Sequence, residues 1–208
     1  MSVKIELQDV AKRYRLEWVL RHIDLTLEAG RRYALTGPNG SGKSTFMKML
    51  SGHLSPSRGQ IRFHLHDQPL ERGEVYRYLS FAAPYIELIE EFTLQEAIDF
   101  HRRFKTLQPD LDTDALIQLL GFKRARQKPV RAFSSGMKQR LKLALAICSD
   151  TPLLLLDEPT TNLDQQGVQW YLDLIEQYGQ NRTIVVASNV AVDYGFCEES
   201  VNVMNYKK

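Results

Sequence analysis

The apolar positions of this chain change period along its length, and each change marks an element. Val3, Ile5 and Leu7 alternate with Lys4, Glu6 and Gln8, the pattern of a half-buried strand. β-like character continues from Tyr14 to Leu27, where Ile23, Leu25 and Leu27 alternate again. A turn at Glu28-Ala29-Gly30 leads to the extended apolar stretch Tyr33 to Thr36. The pattern predicts two or three short antiparallel strands ahead of a buried one. Phe46 to Leu50 is periodic as a helix that ends near Ser51-Gly52, and Ser55 to Gly59 is a turn cluster. Ile61, Phe63 and Leu65 alternate, and Val75 to Phe81 stays apolar until Ala82-Ala83-Pro84 breaks it.

From Thr93 the period lengthens. Leu94, Ala97, Ile98 and His101 share a helical face, with Thr93 and Glu96 spaced as a capping box. Asp112 to Leu120 predicts a second helix, stopped at Gly121. The stretch from about Pro84 to Ala132 therefore reads as all-helical. Phe133-Ser134-Ser135-Gly136 opens a long helix closed by Ser149-Asp150, which extends the helical insertion to about 84–149 of a single domain, 1–208. Leu153 to Leu156, bounded by Pro152 and Asp157, is the wholly apolar run of a central parallel strand. Val168 to Tyr178 predicts a helix and Thr183 to Ser188 another central strand, and Val201 and Val203 can close the sheet.

Composition narrows the function classes. At 208 residues the chain is long enough for a well-buried core. It is 43% hydrophobic and 25% charged, with a net charge of +2, so charge gives nucleic acid no support as a main partner. The run Lys123, Arg124, Arg126, Lys128 and Arg131 lacks aromatic interleaving and reads as a solvated face. Cys148 and Cys197 form neither a metal cluster nor a disulfide framework, which favours a reduced, cytoplasmic protein. The alternating start resembles no signal peptide, and no apolar run approaches the ~18–20 residues of a membrane span. A membrane role must work through a partner.

Chemistry concentrates in Gly37-Pro38-Asn39-Gly40-Ser41-Gly42-Lys43-Ser44-Thr45, a phosphate loop with an extended stretch before it and a helical one after it. Its glycines let successive N–H groups curl around phosphate oxygens. Lys43 would reach the β/γ-phosphates, and the Ser44 hydroxyl would sit on Mg²⁺. This is the pattern of a nucleotide-binding protein.

The order of phosphate loop, helical insertion, Phe133 to Arg140, then Leu153-Leu154-Leu155-Leu156-Asp157-Glu158-Pro159-Thr160-Thr161-Asn162-Leu163-Asp164 closely resembles the ATP-binding cassette (ABC) ATPases over essentially the full chain. The resemblance implies an α/β fold, a P-loop NTPase of the ABC type with a small antiparallel β subdomain and an inserted α-helical subdomain. It implies ATP and Mg²⁺ as cofactors, with Asp157 and Ser44 toward the metal and Glu158 as the carboxylate that polarises the attacking water. A plain strand-end turn is the alternative reading of Asp157-Glu158. Ser134, Ser135 and Gly136 correspond to a signature, usually Ser-Gly-Gly-Gln, that caps the γ-phosphate held by a second ATP-binding subunit; here Ser135 and Met137 depart from it. Thr161-Asn162-Leu163-Asp164 resembles the loop that in the family runs along the subunit interface. For the aromatic that the family places against adenine, the resemblance implies Tyr14, with Trp18 as the alternative. The implied partners are that second subunit, identical or not, and a transmembrane permease on whose inner face the protein lies peripherally.

Two further departures bear on catalysis. The family's central glutamine should fall at Ala82-Ala83-Pro84, where none is present; Glu87, Glu90 and Glu91 are nearby acids. The family's switch histidine is replaced by Asn189, which donates through its amide but carries no proton or charge. Loss of such a contact can cost ~2–4 kcal/mol in the transition state, which predicts slow hydrolysis with Lys43, Asp157 and Glu158 intact. A cassette acting in DNA repair or on the ribosome would need a coiled-coil insertion, tandem cassettes or a basic interface, and a P-loop kinase would lack the Ser134–Gly136 signature. The rival that keeps the fold is an ATP-gated binding module, or a degenerate member of a pair, that closes on ATP with little turnover.

Overall fold

The opening alternation becomes a long strand. In the computed structural model, which describes residues 2–207, β1 (Val3–Tyr14) and β2 (Glu17–Leu27) pair as a hairpin. They are followed by β3 (Arg32–Thr36), α1 (Lys43–Leu50), β4 (Arg58–Leu65), β5 (Gln68–Leu70) and β6 (Leu79–Ala82). Three helices come next: α2 (Leu94–Arg102), α3 (Thr113–Leu120) and α4 (Ser135–Ile147). Then β7 (Leu153–Asp157), α5 (Gln165–Tyr178), β8 (Thr183–Ala187) and β9 (Glu199–Asn202) complete the order. The chain divides into two compact units, one of residues 2–81, 152–158 and 181–207, the other of 82–151 and 159–180.

The first unit holds two sheets. One is four-stranded, in the order β2-β1-β4-β5, with every pairing antiparallel. Two strands of 12 and 11 residues stand where two or three short ones were expected, because β1 bends instead of breaking. Asp9 takes φ 47°, and the register shifts beside it. β4 crosses that bulge at Gly59, where an added Cβ would lie 2.3 Å from the Asp9 carbonyl oxygen, so only glycine fits. The other sheet has the order β6-β7-β8-β3-β9. All five residues of β7 and of β8 are buried, which is why β7 is apolar up to Asp157 and β8 is apolar after Thr183. Val75 to Phe81 divides into a 3-10 segment, Arg72–Arg77, and then β6. The last strand stops at Asn202, and Val203 is buried in a short turn beyond it.

The register of the parallel strands sets where the connecting loops emerge. Leu35 pairs with Ala187, and Ala187 pairs with Asp157. The carboxyl ends of β3, β8 and β7 are therefore level, about 5 Å apart from strand to strand. Three loops leave the sheet side by side.

The second unit is helical and heavily capped. At α2 the Thr93 N–H donates to Glu96 Oε2 at 2.8 Å and the Glu96 N–H to Thr93 Oγ1 at 3.2 Å, the expected capping box. Asp112 caps α3, and Gly121, at φ 73°, ends it. In the basic run Lys123, Arg124, Lys128 and Arg131 are exposed, while Arg126 pairs with Asp114 at 2.5 Å. The guanidinium of Arg140 lies 4.5 Å from the centre of the Trp170 ring. Both cysteines are free, and burial pushes the Cys197 thiol up to about 12.

His101 is the titratable weak point of this unit. Ser149 Oγ donates to the Leu145 carbonyl at 2.6 Å, so at 2.8 Å it accepts from His101 Nε2. Burial, with Lys105 adding to it, lowers the His101 pKa from 6.5 to about 4. The unfolded chain therefore binds the proton first: the stabilisation is full above about pH 6.5 and is lost as pH falls toward 4. Urea unfolding at pH 7 and pH 4.5 should show a loss of about 2 kcal/mol from this residue, absent in His101→Gln. Equal acid sensitivity in the two proteins would refute this.

Candidate functional site

The loop from Gly37 to Thr45 joins β3 to α1, and its glycines do three separate jobs. Gly37 (φ 145°) passes so close to Ser41 that a Cβ would sit 2.9 Å from its Oγ. Gly40 (φ 76°) forms the exposed turn. Gly42 (φ 105°) brings the chain against β2, where a Cβ would meet Val19 Cγ1 at 3.1 Å. The Ser41 N–H closes the turn onto the Pro38 carbonyl at 3.1 Å. Lys43 is almost wholly buried, and its Nζ donates to the carbonyls of Gly37 at 2.7 Å and Pro38 at 3.2 Å.

The start of α1 differs from that of every other α-helix among the described residues. The helices α2, α3, α4 and α5 begin with side-chain caps from Thr93, Asp112, Ser134 and Asp164. At α1 the cap is Gly42, no side chain accepts from the first turn, and no acid lies in that turn. Its leading N–H groups thus keep their hydrogen-bonding capacity, and the helix dipole is not offset there. This is the arrangement that binds an anion.

The level strand ends bring the acids to the same loop. Asp157, the last residue of β7, is 1% exposed. Glu158 comes next at φ 46°, in the left-handed region, held by its N–H donating to the Ala187 carbonyl at 2.8 Å. Such a conformation costs of order 1–3 kcal/mol in a non-glycine residue and turns the chain sharply off the strand. Beyond β8, the buried Ser188 donates to Asp193 at 2.5 Å, and exposed Asn189 donates through Nδ2 to Asn39 Oδ1 at 3.4 Å. A cavity of about 290 Å³ is lined by Val19, Asn39, Gly40, Gly42, Lys43, Ser44, Thr45 and Glu158. Ser44 and Asp157 offer a hydroxyl and a carboxylate, a donor set suited to a hard divalent cation.

Comparison with known proteins agrees with this geometry. The family model described as ABC transporter matches residues 20–161. The chain belongs to the ABC transporter family. Within it, this chain is 32% identical to the lantibiotic transport ATP-binding protein SrtF of Streptococcus pyogenes, across 89% of this chain and 80% of that protein. It is also 32% identical to ABC transporter I family member 1 of Arabidopsis thaliana, across 91% and 83%. Among solved structures, the dimeric ATP-binding cassette MJ0796 in a post-hydrolysis state with ADP and Pi superposes with a TM-score of 0.81 at 20% identity, over 96% of this chain and 95% of that one, which shows the shared fold. The chain is thus an ABC ATPase nucleotide-binding domain, an ATP-binding protein of the P-loop class.

The ABC residues named from the sequence fall into two sets. The first unit gathers Gly37, Pro38, Asn39, Gly40, Ser41, Gly42, Lys43, Ser44 and Thr45 with Asp157, Glu158 and Asn189. The second holds Ser134, Ser135, Gly136 and Asp164. Ser134 caps α4, its Oγ accepting from the Met137 N–H at 3.2 Å, which leaves its hydroxyl hydrogen to donate. Ser135 is the first residue of α4 and not among the positive-φ residues, so its extra hydroxyl carries no backbone penalty. Gly136 is small for a reason: a Cβ there would lie 3.0 Å from the Asn162 carbonyl. Asp164 caps α5 through the Gly167 N–H at 2.7 Å. Ala82 and Ala83 are buried, and Lys142 Nζ donates to the carbonyls of Ala83 and Pro84 at 3.4 and 3.1 Å. Glu87 and Glu90 line a separate cavity with Lys138 and Lys142, Glu90 paired with Lys138, and Glu91 is exposed.

Tyr14 ends β1 at the exposed tip of the hairpin, with Lys12 Nζ 5.3 Å from its ring centre. Trp18 is half-buried and flanked by the guanidinium groups of Arg13 and Arg21. Neither lines the cavity. The residue that does is Val19, which sequence reading passed over as one more strand residue. Its contact with Gly42 arises from packing and left no signal in the spacing. Gly42→Ala should force Val19 or the loop to shift and lower ATP affinity about tenfold or more. Calorimetric titration with ATP checks this, and wild-type affinity would contradict it.

Proposed function

We propose that the chain hydrolyses ATP on the Gly37–Thr45 loop to drive a separate transmembrane permease, working as one of a pair of ATP-binding subunits. The observation that carries this reading is the uncapped start of α1 beside Asp157 and Glu158 at level strand ends. In this reading the N–H groups of the loop and of the first turn of α1 cradle the phosphates, and Lys43 exchanges its loop carbonyls for phosphate oxygens. Ser44 and Asp157 hold Mg²⁺, which when bound neutralises phosphate charge. Glu158 polarises the attacking water, and its turned backbone aims the carboxylate into the cavity that it lines. Ser134, Ser135 and Gly136 cap the nucleotide of the second subunit, Asp164 lies along the interface, and Tyr14 supplies the aromatic face for adenine. The dimeric MJ0796 cassette supports the pairing by shared fold. SrtF, an ATP-binding protein of lantibiotic transport, supports a transport role.

The chain is proposed to act as one domain whose helical insertion, about 84–149, docks on the permease. Among the described residues no helix is long and apolar enough to cross a membrane. The protein is then peripheral at the cytoplasmic face, held there by its partner.

A second reading, ATP-gated closure with little turnover, is favoured by Asn189 and by the buried Ala82-Ala83 pair. Steady-state ATPase of the purified chain, alone and with its permease, should fall at least 100-fold in Glu158→Gln while ATP-dependent dimerisation persists. Equal, near-zero rates in both proteins, with ATP-driven dimers, would establish the gate instead. Asn189→His should raise kcat by about tenfold or more, because an imidazolium adds a charged donor that the amide lacks. An unchanged kcat would remove Asn189 as the cause of slow turnover.

A further inference from the structure

A loop that turns its N–H groups inward presents carbonyl oxygens outward, and each needs a partner. Those of Gly37 and Pro38 accept from Lys43 within the motif. The carbonyl of Gly40, at the exposed apex, accepts from far outside it: Lys207 Nζ donates to it at 3.0 Å. Gly40 has φ 76° and no atom within 4 Å of the position a Cβ would take, so packing does little to fix it.

Lys207 is delivered by a built segment of the same unit. β9 ends at Asn202, whose Oδ1 accepts from the Met204 N–H at 3.0 Å and starts the 3-10 turn Val203–Tyr206. Val203 is fully buried. The Tyr206 ring packs on Phe46 of α1 with centroids 6.4 Å apart. The Cβ position of Gly37 lies 3.8 Å from Asn202 Oδ1. Residues 202–207 thus reach the loop at its first glycine and its apex, and α1 between them.

We infer that Lys207 is a positioning residue for phosphate binding, fastening the Gly40 apex so that the loop is ordered before nucleotide arrives and setting a second ammonium group beside it. Ordering beforehand removes part of the cost of binding. The inference rests on the reading of Gly37–Thr45 as the nucleotide phosphate site. Its test is calorimetric titration of the full chain with ATP in the wild type, Lys207→Met, Lys207→Arg and Lys43→Ala, together with KM, kcat and the thermal midpoint without nucleotide. Lys207→Met should bind ATP about 3- to 10-fold more weakly, raise KM more than it lowers kcat and keep the nucleotide-free midpoint. Lys207→Arg should recover the affinity. Wild-type affinity in Lys207→Met, with binding lost in Lys43→Ala, would overturn the role of Lys207 alone. Weak binding with a lowered nucleotide-free midpoint would overturn it too, as a general loss of stability. Wild-type binding in Lys43→Ala would refute the underlying phosphate-site reading.

Discussion

The parallel register of β3, β8 and β7 is the constraint on which the site depends. Leu35, Ala187 and Asp157 lie in line across the sheet, so residues far apart in the chain leave it together. Hydrophobic burial enforces that alignment. β7 and β8 are buried throughout, and a slip of one residue would exchange their faces and move Asp157 out of line with Ala187. A carboxylate at 1% exposure is costly to hold, and the register fixes it at the strand end, level with the end of β3 from which the Gly37–Thr45 loop leaves.

The contrast between capped and uncapped helices has the same logic. Four helices of the chain satisfy their first turns internally with Thr93, Asp112, Ser134 and Asp164. Only α1 among the described α-helices starts with glycine and no acid. A side-chain cap there would stabilise the helix by about 1 kcal/mol and occupy the donors that an anion needs. Glu158 shows a similar trade: its left-handed backbone is a local cost, held by the Ala187 carbonyl and the sheet behind it. Local stability is given up at the start of α1 and at Glu158, where the paired strands β3, β8 and β7 hold the backbone.

Much of this was legible in the chain itself. Alternation marked β1 and β4, the Leu153–Leu156 run marked a central strand, and Thr93 with Glu96 announced their capping box, because these signals depend on neighbours three or four residues away. The phosphate-loop pattern and its flanking periods marked the loop between β3 and α1 for the same reason: glycine spacing, a lysine and a helix start are local properties. The helix starts at Gln165 rather than Val168 because Asp164 caps it, a boundary that periodicity alone places late.

Tertiary structure decided what depends on residues far apart in sequence. Spacing could not reveal that β1 continues through a bulge, since the compensation is Gly59 in another strand. Nor could it show that Val19, rather than Tyr14 or Trp18, lines the cavity, or that Lys207 reaches Gly40. The sequence by itself determined a loop whose local backbone freedom and charge suit a phosphate. Only the fold decided which distant groups hold that loop in place, because sheet register and side-chain packing set those distances.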